Sequence, residues 1–591
     1  MTDPASTAVS PPAFALGDGA GAFNAAIETA RSEEWAARLF RRDVTLWSSD
    51  DRVGAAIADR LGWLDAPGEV AERTAPLEGF GDGVTDAGFT TAIVAGMGGS
   101  SLAPDVLHRT FGSEEGYLAL RVLDSTDPAY VAATIDDLDP LRTLMIIASK
   151  SGTTTEPNAF AAYAWDRADD ALDAVEHRVY ETPGAFFVAI TDPGPSVEAI
   201  KHHDEYREVF LNAPDIGGRY SALTYVGLVP GSLIGLDLDA LLASATTMLD
   251  ACRDPDPASN PGVSLGLAIG TLAREGRDKL TFLPDDEIGS FGAWAEQLIA
   301  ESTGKHGVGI VPVDLEPLGR VEDYGSDRVF VRIALDRAEG STRDRLAGDL
   351  EAAGHPVIRI RIADPMDIGA EFVRWEVATA IAGIVLGIDP FDQPNVEEAK
   401  QLTREVLARA ERGEAITEPV SPIAEGDGIQ LFGDAALRLT SGDGTITGEL
   451  SRHLARRKAN AYLAIQAFIA PGQARDDAIA RLRTLLRGRT GRATTAGYGP
   501  RFLHSTGQLH KGGAPIGWFL QLTSDHPDDR QIPGWAYTFG QLIDAQAAGD
   551  FAAIESHDLP ILRVHLGHDV DAGLAALERA LATALDTVSE D

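Results

Sequence analysis

Six short stretches hold residue types that do chemistry when they are brought together. In "SKSGTTTE" (149–156) a lysine and a glycine stand among five hydroxyl residues, directly after the apolar run "LMIIA". Ser149, Ser151, Thr153 and Thr154 can donate to phosphate oxygens, and Lys150 adds positive charge. Gly152 lets the backbone come close, and the helix that follows turns its positive N-terminal end to an anion. A helix start needs one capping hydroxyl, so five in a row exceed what capping explains. The Walker spacing GxxxxGK is absent. "GMGGSS" (96–101) repeats the plan one strand earlier, with Ser100 at the glycine turn, and lacks the GxGxxG pattern of dinucleotide sites.

The remaining stretches supply acid–base groups. "DIGGRYSALTYVG" (215–227) puts Arg219 beside Gly218 on a double-glycine turn, where a guanidinium can stabilise a developing oxyanion. "WAEQLIAESTGK" (294–305) spaces Gln297 and Glu301 four residues apart, hence on one helix face. A carboxylate partly withdrawn from water there can act as a general base. "PFDQPNVEEAK" (390–400) sets Gln393 and Lys400 at the two ends of a turn entering a helix, and "FLHSTGQLHKGG" (502–513) carries His504 and His510 among turn residues.

The elements that must position these groups read as α/β. Short apolar strands with polar C-terminal ends, each leading into a helix, recur from residue 91 onward, which predicts parallel sheets covered by helices on both faces. The expected organisation is an arm over 1–69, flexible to about residue 20 and helical thereafter, and a first α/β domain over 70–250. A second domain covers 263–412 beyond the linker "CRDPDPASNPG", and a C-terminal α/β module covers 413–591 beyond "AITEPVSPIAEGDG".

Composition limits the partners. Over 591 residues the formal net charge is -40, with 44% hydrophobic and 24% charged residues, an ordinary folded composition with a strongly acidic surface. Such a surface excludes a nucleic-acid backbone as partner and demands a local island of positive charge for any anionic substrate. The single cysteine, Cys252, excludes an internal disulfide and a cysteine metal site, as suits a reducing cytoplasm. The N-terminus lacks a signal-peptide pattern, and the apolar stretch "ATAIAGIVLGI" is too short to span a bilayer, so a cytoplasmic protein without a membrane partner is expected.

Taken together, "GMGGSSLAP", "SKSGTTTEP", "GGRYSALTYVGLVP", "EQLIAESTGK" and "PFDQPNVEEAK" resemble the phosphoglucose isomerases in order and spacing, over roughly residues 90–400. The longer form resembles the isomerase half of fused transaldolase–phosphoglucose isomerases. The resemblance implies two SIS-type doubly wound parallel-sheet domains, usually paired as homodimers, that interconvert glucose 6-phosphate and fructose 6-phosphate in glycolysis and gluconeogenesis. It implies no cofactor and no metal. Ser100, Ser149, Ser151 and Thr154 match the family's phosphate holders, with Lys150 and Gly218 beside the substrate. Gln297 and Gln393 match its pocket glutamines, Glu301 its proton-shuttling base and Arg219 the arginine that stabilises the enediolate. Lys400 matches a lysine of ring opening. The ring-opening histidine typically comes from the neighbouring subunit and, in many members, from between the glutamate motif and the FDQ turn. Here that interval offers His306 and His355, while His504 and His510 follow it; His510 is the favoured choice for its Gly-Gly-flanked loop. Mannose 6-phosphate is an alternative substrate, and a sugar-phosphate-binding regulator is the non-enzymatic alternative.

Overall fold

The computed structural model describes residue 9 and residues 11–336, 340–412 and 421–587. Residues 415–420 of the expected linker over 415–428 therefore lie outside the described residues. Strand β1 (Ala13–Ala15) comes first in the chain and pairs antiparallel with a strand more than 300 residues later. Part of the segment expected to be flexible is thus an edge strand, because its alternating Ala-Phe-Ala completes a sheet that sequence order does not reveal.

The first sheet contains β2 (Thr91–Gly96), β3 (Ala119–Leu123), β4 (Thr143–Ala148), β5 (Phe187–Thr191) and β6 (Glu208–Leu211), ordered β3-β2-β4-β5-β6 and parallel throughout. Strands β2, β4 and β5 are buried along their whole length, as near-continuous aliphatic runs such as "TLMIIA" require. The chain leaves β2 to one side and returns past it to β4. Between these two strands the connections diverge, and the crevice at their carboxyl ends is where ligands bind in open α/β sheets. The two hydroxyl-bearing loops leave the sheet at those ends.

The second sheet holds β7 (Lys279–Pro284), β8 (Val311–Val313), β9 (Arg328–Leu335) and β10 (Val357–Ile362), ordered β1-β10-β9-β7-β8. The stretch "ATAIAGIVLGI" lies mostly in the helix Ile368–Leu386, which is buried against the helix Pro261–Arg274. Gly266 makes that approach possible, since a Cβ there would stand 2.3 Å from the Ala378 carbonyl oxygen. No helix among the described residues is long and apolar enough to cross a membrane.

The third sheet has β11 (Ala424–Gly426), β12 (Ile429–Gly433), β13 (Tyr462–Phe468), β14 (Ala493–Tyr498), β15 (Gly517–Thr523) and β16 (Ile561–His565), in the order β11-β12-β16-β15-β13-β14. Strands β13 to β16 are parallel, and β12 is antiparallel to β16. The apolar runs "NAYLAIQAFI" and "GWFLQLTSD" predict β13 and β15, whereas "ATTAGY" of β14 has no large aliphatic residue and "ILRVH" of β16 is short and interrupted by charge.

This module is locked to the second sheet by buried charge. The Glu316 carboxylate accepts from Arg328 Nη2 at 2.9 Å and, across the junction, from the Thr494 amide at 2.8 Å and hydroxyl at 2.7 Å. Arg487 of the module lies 3.5 Å from it. Burial alone would raise the Glu316 pKa, but Arg328, Arg483 and Arg487 outweigh it and hold the carboxyl below its ordinary value. Removing one partner of such a group leaves buried charge uncompensated. Glu316→Gln is therefore expected to destabilise the fold by about 3–5 kcal/mol in urea denaturation. Because the folded carboxyl is the more acidic, this contribution is complete above the unfolded pKa and is lost as pH falls through the folded one.

Candidate functional site

A cavity of about 570 Å³ opens at the carboxyl ends of β2 and β4 and reaches the second domain and the C-terminal module. Ser100, Ser149, Lys150, Ser151 and Thr154 line it on one side, and Gly218, Arg219, Gln297, Glu301, Gln393 and Lys400 on the other. Eleven of the twelve residues named from the sequence thus meet at one cavity. The twelfth, His510, does not.

The helix Gly99–Phe111 starts directly after the glycine turn, and Gly99 and Ser100 at its N-terminal end line the cavity. A Cβ on Gly99 would lie 2.0 Å from the Gly218 carbonyl oxygen, so only glycine lets this turn touch the one that carries Arg219. In the second loop, Ser149 Oγ and Thr154 Oγ1 are 2.9 Å apart, as are Ser151 Oγ and Thr153 Oγ1. Gly152 takes a left-handed φ of +67°, and a Cβ there would stand 2.0 Å from the Ser196 carbonyl oxygen. Lys150 is engaged: its Nζ donates to Asp192 Oδ2 at 2.5 Å and to the Pro214 carbonyl at 2.8 Å.

Arg219, 3% exposed, binds in five directions. Its Nε donates to Ser302 Oγ at 2.7 Å, Nη1 to Gln393 Oε1 at 3.0 Å, and Nη2 to the Pro390 and Asp392 carbonyls at 2.7 and 3.0 Å. Nη1 also pairs with Glu301 Oε1 at 3.0 Å. Gln297 Nε2 donates to Glu301 Oε2 at 3.1 Å and to the His504 carbonyl at 2.8 Å. Lys305, the last residue of the glutamate motif, clamps the FDQ turn by donating to the Asp389 carbonyl at 2.7 Å and to Asp392 Oδ1 at 2.6 Å. Burial, with Arg219 nearby, pushes its pKa down to about 8.

The histidine requires a correction. His510 is enclosed by Tyr462, Phe502 and Phe519, and its Nδ1 lies 3.3 Å from Gln466 Nε2. Burial pushes its pKa well below the ordinary value, so it stays neutral and away from the cavity. Its Gly-Gly-flanked sequence looked like a loop, but residues Gly507–Gly512 form a helical turn directed into the module core. His306 and His355 also lie off the cavity. His504 lines it, with Nε2 3.2 Å from Glu156 Oε1. Glu156 is 5% exposed and also accepts from Gln546 Nε2 at 2.6 Å, while Gln546 Oε1 accepts from Thr126 Oγ1 at 2.7 Å. Burial works to raise the Glu156 pKa, yet His504 and Lys400 bring it below its ordinary value. His504 belongs to the same chain as Glu301, where the resemblance implied a histidine from a neighbour.

Sequence reasoning missed Glu156 as a site residue although it closes the quoted "SKSGTTTE". It also missed Gln546, for which no local signal exists. Among the described residues, no group of three or more His, Cys, Asp or Glu side chains is placed to hold a metal ion.

A family model described as phosphoglucose isomerase matches residues 75–312. The chain is 28% identical over 406 residues to a glucose-6-phosphate isomerase of Rubrobacter xylanophilus, which covers 60% of this chain and 91% of that protein. It is 30% identical over 367 residues to a probable glucose-6-phosphate isomerase of Haloarcula marismortui, covering 56% of this chain and 79% of the relative. The chain belongs to the phosphoglucose isomerase family. A crystal structure of a hypothetical protein from Thermus thermophilus shares the fold, with a TM-score of 0.55 at 24% identity, over 67% of this chain and all of that one.

The contact at Gly99 gives a test. Gly99→Ala is expected to cost about 1–3 kcal/mol by overpacking and to weaken inorganic phosphate binding in calorimetry. Gly83→Ala, on an exposed helix face with nothing within 4 Å, is expected to leave phosphate binding unchanged and to stabilise the fold by about 0.4–1 kcal/mol.

Proposed function

We propose that this cavity isomerises glucose 6-phosphate and fructose 6-phosphate through an enediolate, the aldose–ketose step of glycolysis and gluconeogenesis. The observation that carries this reading is the Glu301 carboxylate, held between Arg219 at 3.0 Å and Gln297 at 3.1 Å, in the same cavity as the anion-binding loops. A phosphate gripped by Ser100, Ser149, Ser151 and Thr154 and by the helix N-termini leaves the sugar facing Glu301.

His504, backed by Glu156, and Lys400 open the ring: one proton leaves the anomeric hydroxyl while another reaches the ring oxygen. Glu301 then removes the C2 proton of the open aldose. Its electrons form the C1–C2 double bond, and the former carbonyl oxygen takes the charge. Arg219 offers its guanidinium to that charge. Glu301 returns the proton to C1 as the O2 hydroxyl proton passes to O1, giving the ketose. The base and its arginine favour this reading over a binding-only regulator, which has no use for them. The homodimer and the cytoplasmic location belong to the same proposal. The histidine already reaches the cavity from the same chain, so the dimer is not needed to supply it.

In a coupled assay from fructose 6-phosphate, Glu301→Gln is expected to lower kcat by about 10²–10⁴-fold with little change in KM; undiminished turnover would remove Glu301 as the base. His504→Gln is expected to lower kcat on ring-closed substrate, whereas His510→Phe leaves kcat unchanged, and the reverse pattern would restore His510. Gln546→Met takes a donor from Glu156 and is expected to reduce kcat about tenfold and to displace the pH profile, without a matching rise in KM.

A further inference from the structure

A second cavity, of about 410 Å³, lies between the first domain, the helix Phe291–Thr303 and the C-terminal module. It shares no lining residue with the reaction cavity but lies back to back with it. Ala293 and Glu296 of the glutamate helix face the second cavity, while Gln297 and Glu301 of the same helix face the first.

The charges in this cavity do not balance among themselves. Its three guanidiniums are already occupied. Arg109 Nε donates to Asp105 at 2.9 Å, Arg501 bridges Asp105 and Asp124 at 3.4 and 3.2 Å, and Arg483 Nη2 donates to the Asp314 and Thr494 carbonyls at 2.8 and 2.7 Å. The other titratable groups facing it are likewise engaged. Tyr130 donates to the Val122 carbonyl at 3.0 Å, Tyr498 to Asp476 at 2.5 Å, and Asp477 accepts from Gln473 at 2.9 Å. Two carboxyl groups remain. Asp314 is 6% exposed and its Oδ1 has no hydrogen-bond partner, and Glu296 has neither a hydrogen bond nor an ion pair among the described residues. A Cβ on Gly292 would stand 1.9 Å from Asp314 Oδ1, so the helix makes room for that carboxylate. Leu102, Ile479, Phe502 and the largely exposed Leu315 supply apolar wall.

We propose that this cavity binds a small organic cation, an alkylammonium of polyamine type whose nitrogen meets Asp314 and Glu296 and whose methylenes lie on the apolar wall. Two carboxyls without a third ligand do not make a metal site, and among the described residues no metal-holding group is found. Holding the buried Asp314 and the half-buried Glu296 carboxyls unpaired is costly unless a cation joins them. Burial, with Asp314 nearby, pushes the Glu296 pKa up to about 8, and burial pushes Asp314 up to about 7. A bound ammonium favours the ionised forms, so binding releases protons near neutral pH and tightens as pH rises through those values.

The test is calorimetric titration of the full chain with putrescine at about 0.15 M salt, which screens the general acidic surface. Hepes and Pipes buffers at neutral pH are compared for proton release. The expected result is one saturable site with a buffer-dependent heat, weakened at least about tenfold in Glu296→Gln and in Asp314→Asn. Ala480→Phe fills the cavity from the helix Gln473–Thr490 while leaving both carboxyls in place, and is expected to abolish binding. Thermal midpoints of all variants show whether each is folded. Equal affinity in wild type and variants would reduce the effect to the acidic surface and overturn the proposal, as would the absence of a saturable heat. Displacement of putrescine by magnesium at matched ionic strength would make the site a metal site instead and equally overturn it.

Discussion

The guanidinium of Arg219 is the contact on which the rest of the site depends. It sits at the end of a glycine turn in the first domain and reaches the glutamate helix and the FDQ turn of the second. A buried arginine needs most of its donors satisfied, and here two backbone carbonyls, a hydroxyl, an amide and a carboxylate do so. Satisfying that one group ties the glycine turn to the glutamate helix and the FDQ turn. Lys305 acts on the same turn from the other side, so the loop carrying Gln393 is held by two buried cations.

The C-terminal module enters this arrangement through polar contacts and not as a separate lobe. Gln297 is fastened to the His504 carbonyl, and Glu156 collects His504 and Gln546, both from the module. Further from the cavity, Gln508 accepts from the Asn395 amide at 2.8 Å and donates to the Gly304 carbonyl at 2.9 Å. The module thus braces the base helix, the FDQ turn and the phosphate loop at once. The glutamate helix separates two cavities.

Legibility in the sequence followed the range of the interaction. The hydroxyl loops could be read because their physics is local: a buried parallel strand, a glycine permitting close approach, and hydroxyls at a helix start lie within a dozen residues. Glu301 and Gln297 could be read for the same reason, as neighbours on one helix face. Strands β14 and β16 could not, because β14 has no large aliphatic residue and stands at the sheet edge beside β13, and the aliphatic run of β16 is short and broken by Arg563. His510 was favoured on a local glycine signal, and the fold turned it inward among aromatic rings.

By itself the sequence determined the α/β class, the anion-binding loops, the family pattern and the groups able to act as base and oxyanion partner, because each rests on spacing along one segment. Only the tertiary structure decided which histidine reaches the cavity, that Glu156 and Gln546 stand behind it, and that Asp314 and Glu296 are left without a partner. These are outcomes of side chains from segments up to several hundred residues apart competing for the same space and the same hydrogen-bond partners, and no single stretch of sequence records who wins.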